Sequence, residues 1–541
     1  MTTNSQTIED ALSGLTTPPS DSDATTTPAE TISFPEILDY AFPEEPPVSR
    51  LTQVGEVTYI GDGVCQVTGL DQAKIDEVIT IKTGRGQIQA IIFGITPDRV
   101  ESVVLGDYTK IKRGDVAQSS GSRLKLPVGK PLLGRVVNPL GQAMDNQGRI
   151  KALDYHQLEF TSPGVVDRDP VTIPLHTGIM AIDATIPIGR GQRELVIGDR
   201  KTGKSRTMLD IISNQKNNGV FCIYVGIGIQ AAKAKATYEL LKAREALSYT
   251  TMVLAFSDDP PSLQYLAPYA GAALGEYYMY SGQHALVIYD DLTKQAKAYR
   301  QVSLLLKRSP GRDAYPGDIF FLHSRLLERA AQLNHRLGGG SLTSLPIAET
   351  QSGDISDYII TNLMSITDGH IFLDAALMHE GIMPAINSGA SVSRIGGKVQ
   401  TKLLQKVGEL ASRILARYEE VKSYETINTE ISADTVAEIN RGKRLKEIFA
   451  QDSDTRFTLA ETVVFLALAT SPQMDHLTLD QVRFFKSHFP QFLRQQLTTD
   501  AIHALRTETT LAAVAPILDS LIQRFCHVNQ LPPPTTPYAT T

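Results

Sequence analysis

Gly198-Asp199-Arg200-Lys201-Thr202-Gly203-Lys204-Ser205 fits the pattern G-x-x-x-x-G-K-[ST], and no other stretch constrains the fold of this chain as tightly. The pattern has structural meaning only between a strand and a helix. Here the apolar run Glu194–Ile197 precedes it and SRTMLDIISNQ follows with helical spacing. Glycines at these positions let backbone N–H groups turn inward around an anion, and the helix N-terminus adds its dipole. In such a loop Lys204 reaches the β- and γ-phosphates of a bound nucleotide, and the Ser205 hydroxyl coordinates magnesium. A glycine turn with an exposed lysine would carry the same letters; the strand before and the helix after separate the two.

A second segment completes the reading. Ala285-Leu286-Val287-Ile288-Tyr289-Asp290-Asp291 is a buried strand ending in carboxylates. Beside a phosphate loop, such an acid holds magnesium directly or through water, and Asp290 is the predicted residue, with Asp291 next. Alone, the same Asp-Asp would read as a turn or helix cap. Hydrolysis also needs a residue that orients or deprotonates water, often at the end of the strand after the phosphate loop. That strand ends Val225-Gly226-Ile227-Gly228-Ile229-Gln230, with an aliphatic side chain where a carboxylate would serve. The sequence therefore favours binding without efficient hydrolysis, unless Gln230 or a residue elsewhere substitutes.

The remainder organises around this centre. Residues 1–31 are rich in Thr, Ser, Asp and Pro and read as disordered. Residues 32–42 carry enough apolar groups to dock on something, and Pro46-Pro47 separates this 1–50 leader from the body. From 51 to 122, short β-branched runs punctuated by glycine predict a small closed β-barrel. From 123 to 402, continuous apolar strands alternate with helices, as in a parallel sheet covered on both faces. Residues 403–541 read as helices with a short disordered tail, QLPPPTTPYATT. The first 49 residues hold nine Asp or Glu and no Lys or Arg, so −9 of the net −7 lies there and the rest carries +2. A near-neutral body excludes a protein-wide basic surface for nucleic acid. No apolar run long enough to span a membrane is apparent, nor a secretory or transit signal. Cys65, Cys222 and Cys526 lie far apart without metal-ligand spacing, and Cys222 reads as a packed small hydrophobe.

From about Val54 to Ala450 the chain resembles the alpha subunit of F-type ATP synthases. Beyond GDRKTGKS, the resemblance is carried by IPIGRGQRELVIGD, HALVIYDDLTKQAKAYRQVSLLLKRSPGRDAYPGDIFFLHSRLLERAA, GGGSLTSLPIAETQSGDISDYI and SITDGHIFL. It extends to PAINSGASVSRIGG, which satisfies the family signature through Pro384-Ala385-Ile386-Asn387, Ser391 and Ser393. The resemblance implies a multidomain chain: an N-terminal β-barrel, a central RecA-like α/β P-loop nucleotide-binding domain and a C-terminal α-helical domain. It implies a regulatory, non-catalytic ATP/ADP and magnesium site built from Gly198 to Ser205 and Asp290. It also implies that Arg394 acts as an arginine finger in the neighbouring beta site. The implied partners are beta and gamma subunits in an alternating alpha/beta ring, with a peripheral-stalk contact to delta. The implied place is the cytoplasmic face of the cell inner membrane, where the complex couples ATP synthesis or hydrolysis to ion transport, most simply of protons. Arg312 and Arg325 read as interface or core-edge residues.

Several positions depart from the family pattern. Lys201 and Ile229 each replace a glutamine, Met383 stands in place of an arginine near the adenine, and Gln451 and Ser453 only partly match an adenine-flanking glutamine pair. The acidic leader differs from the usual amphipathic docking helix. The chain thus reads as a divergent or second-copy alpha subunit. Two other readings stand beside it: a self-sufficient hexameric P-loop ATPase motor, and a structural ring subunit with an empty nucleotide site. The motor requires a catalytic carboxylate after the second strand.

Overall fold

The computed structural model describes residues 53–152, 154–426, 432–452, 455–534 and 538. The acidic leader and docking arm expected over 1–50 lie outside the described residues. Strands β1 (Val54–Gly61), β2 (Val64–Thr68), β3 (Glu77–Thr83), β4 (Gly86–Thr96), β5 (Arg99–Val104) and β6 (Val116–Arg123) close into a barrel. Its strand order is β1-β2-β5-β4-β3-β6, so every edge is paired. Alternation along the strands sends Val57, Val67, Ile79, Ile81, Ile92 and Val104 inward.

The central domain is built on β7 (Leu195–Gly198), β8 (Val220–Ile229), β9 (Thr250–Phe256), β10 (His284–Asp290), β11 (Ser341–Glu349) and β12 (Gly369–Leu373). They run parallel in the order β12-β7-β11-β10-β8-β9. Odd and even residues of one strand enter two different cores. Leu195, Ile197, Ile223, Val225 and Val287 face one side. Val196, Cys222, Tyr224 and Ile288 face the other. Both faces are covered, which is why these strands read as unbroken apolar runs. The covering helices include α1 (Lys204–Ser213), α2 (Ala231–Ala243), α3 (Pro261–Tyr280) and α4 (Leu292–Leu305).

The C-terminal part is helical: α5 (Lys402–Thr426), α6 (Ala433–Phe449), α7 (Leu459–Thr470), α8 (Leu479–Gln496), α9 (Thr499–Thr507) and α10 (Leu511–Val528). Its core is continuous with one face of the central sheet, for Leu403, Val407, Val463 and Phe465 join the cluster holding Val196 and Tyr224. α10 is long and apolar enough, at mean hydropathy 1.2, to pass for a membrane span by length and composition. The helix includes Asp519 and Arg524, so it is not an unbroken apolar run. Val514, Leu518, Leu521 and Phe525 are buried in the helical core, however, which accounts for the apolarity of α10 within the fold. Of the expected C-terminal tail, Leu531 packs on this core, and Tyr538 is buried with its N–H donating to Asp519. The three cysteines are all buried and free.

Candidate functional site

Parallel register brings the carboxyl ends of three strands together. Gly198 of β7 pairs with Glu349 of β11, and β11 lies beside β10, which ends at Asp290. Side chains from elements far apart in sequence thus share one crevice, the usual location of ligands in open α/β sheets.

The loop from Gly198 to Ser205 links β7 to α1. At Gly198, φ is +154°, and a Cβ would lie 2.4 Å from the carbonyl oxygen of Leu373. Only glycine fits there. Lys201 takes the left-handed conformation at φ +65° and points its exposed side chain outward. The Asp199 carboxylate accepts hydrogen bonds from Thr350 Oγ1 at 2.6 Å and Gly353 N at 2.8 Å, anchoring the loop to the segment after β11. Thr202 Oγ1 donates to the Asp199 carbonyl at 2.8 Å, and Arg200 Nε donates to Glu349 Oε1 at 2.9 Å. Gly203 precedes α1, whose first residues are Lys204 and Ser205. Lys204 is buried, and its ammonium folds onto the loop, donating to the Gly198 carbonyl at 2.6 Å and to that of Asp199. Burial lowers the Lys204 pKa, opposed by Glu349, Asp291, Asp290 and Asp199. A polyphosphate would replace two neutral carbonyl partners with charged ones, which are stronger acceptors.

Asp290 is buried at the end of β10. Its Oδ2 accepts from Tyr224 OH at 2.7 Å and from Lys233 Nζ at 3.0 Å. The same Lys233 ammonium lies 3.0 Å from Ser205 Oγ. Burial pushes the Asp290 carboxyl up, but Lys233, Tyr224 and Ser205 outweigh it and hold the group below its ordinary value. Asp291 does different work. It is the N-cap of α4, with Oδ1 accepting from Lys294 N at 2.8 Å, and burial pushes its carboxyl up to about 6 against the opposing Lys294.

Ile229 closes β8 with 1% exposure. The next residue, Gln230, is exposed at the start of α2. The acids facing Lys204 are Glu349, Asp291, Asp290 and Asp199, and none comes from the end of β8. Beyond α1 opens a cleft of about 850 Å³ whose walls include Gly203, Met383, Pro384 and Gln451. The Gln451 amide is committed within the chain: Nε2 donates to the carbonyls of Gly178 at 2.7 Å and Thr455 at 2.6 Å, and Oε1 accepts from Met180 N at 3.1 Å. Met383 reaches over the loop, with Cε 3.1 Å from where a Gly203 Cβ would stand. Ser453 lies outside the described residues.

Arg394 lies away from this loop, in the segment after Val392–Ser393, which pairs with β12. Its exposed guanidinium donates to the Thr367 carbonyl at 3.0 Å, and among the described residues it forms no ion pair with a carboxylate. Ser391 and Asn387 of the signature segment are structural: Ser391 Oγ accepts from Phe372 N at 2.9 Å and donates to the Asn387 carbonyl at 2.6 Å. Arg325 pairs with Glu159 at 2.9 Å beside the barrel, whereas Arg312 is exposed and its guanidinium lies over the Tyr358 ring at 5.1 Å.

Lys233, Tyr224 and Glu349 were not singled out from the sequence. Tyr224 and Glu349 show no local signal, being ordinary strand residues. Lys233 had one: side chains in the first turn of a helix lean toward its N-terminus, which here means toward the strand ends.

Sheet, loop and carboxylate define a P-loop nucleotide-binding fold. Comparison with known families agrees: residues 178–393 match the nucleotide-binding domain of the ATP synthase alpha/beta family, and residues 400–525 match the C-terminal domain of ATP synthase alpha/beta chains. The chain is 45% identical over 477 residues to the ATP synthase subunit alpha of Lactiplantibacillus plantarum, covering 88% of this chain and 94% of that one. The chain belongs to the ATP synthase alpha/beta family and, within it, to the alpha subunits of F-type ATP synthases.

Proposed function

We propose that this chain is a non-catalytic nucleotide-binding subunit whose Arg394 completes the catalytic site of a neighbouring beta subunit. The observation that carries the reading is the pairing of a fully formed phosphate loop with Ile229, buried at the position where a catalytic base would stand. ATP or ADP phosphates would lie against the loop N–H groups and the start of α1, with Lys204 turning from the Gly198 and Asp199 carbonyls onto the β-phosphate and, in ATP, the γ-phosphate. Ser205 and Asp290 supply oxygens of the right chemistry for magnesium, which when bound would neutralise phosphate charge. Those two oxygens are, however, already bridged by the Lys233 ammonium.

The Arg394 reading is supported by its exposure and by its carbonyl hydrogen-bond partners; its charge also acts on the buried Glu194, but no carboxylate pairs with it directly among the described residues, and an incoming phosphoryl group could still reach it. Alternation with beta around gamma, peripheral-stalk attachment, the cytoplasmic face of the inner membrane and coupling to proton transport are part of the same proposal. They rest on the likeness to a protein named ATP synthase subunit alpha. A structural ring subunit with an empty site is a second reading, favoured by the committed Gln451 amide and by Met383 over the loop. The motor reading lacks its carboxylate at Ile229.

Arg394→Ala tests the finger. In the assembled complex it should leave subunit assembly intact and lower ATP turnover by about 10³-fold or more, the scale of an arginine finger. Full activity in an assembled Arg394→Ala complex would contradict the assignment.

A further inference from the structure

Lys233 has no place in the expected site, yet it lies where the site's charge chemistry is decided. Its ammonium is 3.0 Å from Ser205 Oγ and 3.0 Å from Asp290 Oδ2, the two atoms that would hold a divalent cation. Tyr224 OH donates to the same Asp290 oxygen at 2.7 Å, so the oxygen facing the loop already has two donors. Lys233 reaches this point because it stands in the first turn of α2, directly after β8, where helical side chains lean back over the strand ends. Its side chain is 45% exposed, so the ammonium also faces the crevice a polyphosphate would enter. A divalent ion placed between Ser205 and Asp290 would have to displace this charge or sit beside it, and like charges a few ångströms apart oppose each other.

We propose that Lys233 stands in for the metal. On this view, which rests on the nucleotide-binding reading above, the site binds a nucleoside polyphosphate through Lys204 and Lys233 together, with free ATP or ADP as the ligand and magnesium adding little. Lys233 is then a specificity-determining residue, selecting the metal-free form of the nucleotide. Lysine suits this role as a compact point charge on a flexible stem with three donors, enough for Ser205, Asp290 and a phosphate oxygen at once.

The test is equilibrium binding of ATP to the purified full chain, once with EDTA and once with excess magnesium. It is run on the wild type, Lys233→Gln and Lys233→Arg. The wild type and Lys233→Arg should bind ATP at least as tightly in EDTA as in magnesium. Lys233→Gln, which keeps length and polarity without charge, should bind about tenfold or more tightly with magnesium than without it. The proposal is overturned if the wild type shows the same gain from magnesium as Lys233→Gln, or if Lys233→Gln is as indifferent to magnesium as the wild type. Failure of all three proteins to bind ATP in either condition would instead overturn the nucleotide-binding reading itself, and this proposal with it.

Discussion

At the scale of single residues, burial decides what each charged or polar group can do. Asp290 and Asp291 are chain neighbours with opposite shifts: the first is held ionised by a lysine and two hydroxyls, the second is pushed up to about 6 and caps a helix. His323 is a simpler case. It is fully buried, neither ring nitrogen has a hydrogen-bond partner, and desolvation pushes its pKa down to about 4. Its folded value lies below the ordinary 6.5, so the folded state holds the neutral ring while the unfolded chain takes up a proton. Stability from this group is complete above pH 6.5 and is lost as pH falls towards 4, by roughly 3 kcal/mol at about 1.36 kcal/mol per pH unit. His323→Phe should flatten the dependence of the urea midpoint between pH 7 and pH 4.5. An unchanged pH dependence in that variant would contradict the account.

At the scale of elements, the helices over the sheet rely on close approach. Gly271 in α3 sits so near β8 that a Cβ would lie 2.3 Å from Val225 Cγ2, with Val287 of β10 at 3.4 Å. Gly271→Val should therefore lower unfolding free energy by about 1–3 kcal/mol through overpacking, read from denaturant melts. A variant as stable as the wild type would contradict this packing. The same elements explain which parts of the site could be read from sequence. The phosphate loop and Asp290 are local signals, a glycine pattern after a strand and an acid ending a buried run. Lys233, Tyr224 and Glu349 join them only through the register of β7, β11, β10 and β8, which no local pattern encodes. Likewise, the commitment of Gln451 to Gly178 and Thr455 depends on a contact between residues more than 270 apart for Gly178. The apolar α10 could not be distinguished by composition from a membrane span; its burial in the helical core makes the difference.

At the scale of the whole molecule, the three layers divide the labour. The barrel is a closed module with its own core. The central sheet presents phosphate-binding groups at the carboxyl ends of its inner strands, and the helical part shares a core with one face of that sheet. A buried cluster reinforces the other face: Glu276 of α3 accepts from Arg329 Nε at 2.6 Å and contacts His156 Nε2 at 2.8 Å. Such a cluster fixes geometry, since removing one partner leaves a buried charge alone. Arg394, by contrast, is exposed, and its guanidinium hydrogen-bonds to the carbonyls of Thr367 and Met364. On the function proposed above, the complete phosphate loop, the aliphatic Ile229 and the exposed Arg394 let the molecule hold one nucleotide and act on another. That claim is tested most directly by measuring ATP binding and phosphate release together on the purified full chain, with Lys204→Ala as control. The account predicts one ATP bound per chain, binding weakened about 100-fold or more in Lys204→Ala as charge-assisted phosphate contacts are lost, and phosphate release no faster than in that control. Phosphate release by the isolated chain at the rate of an assembled complex would contradict it.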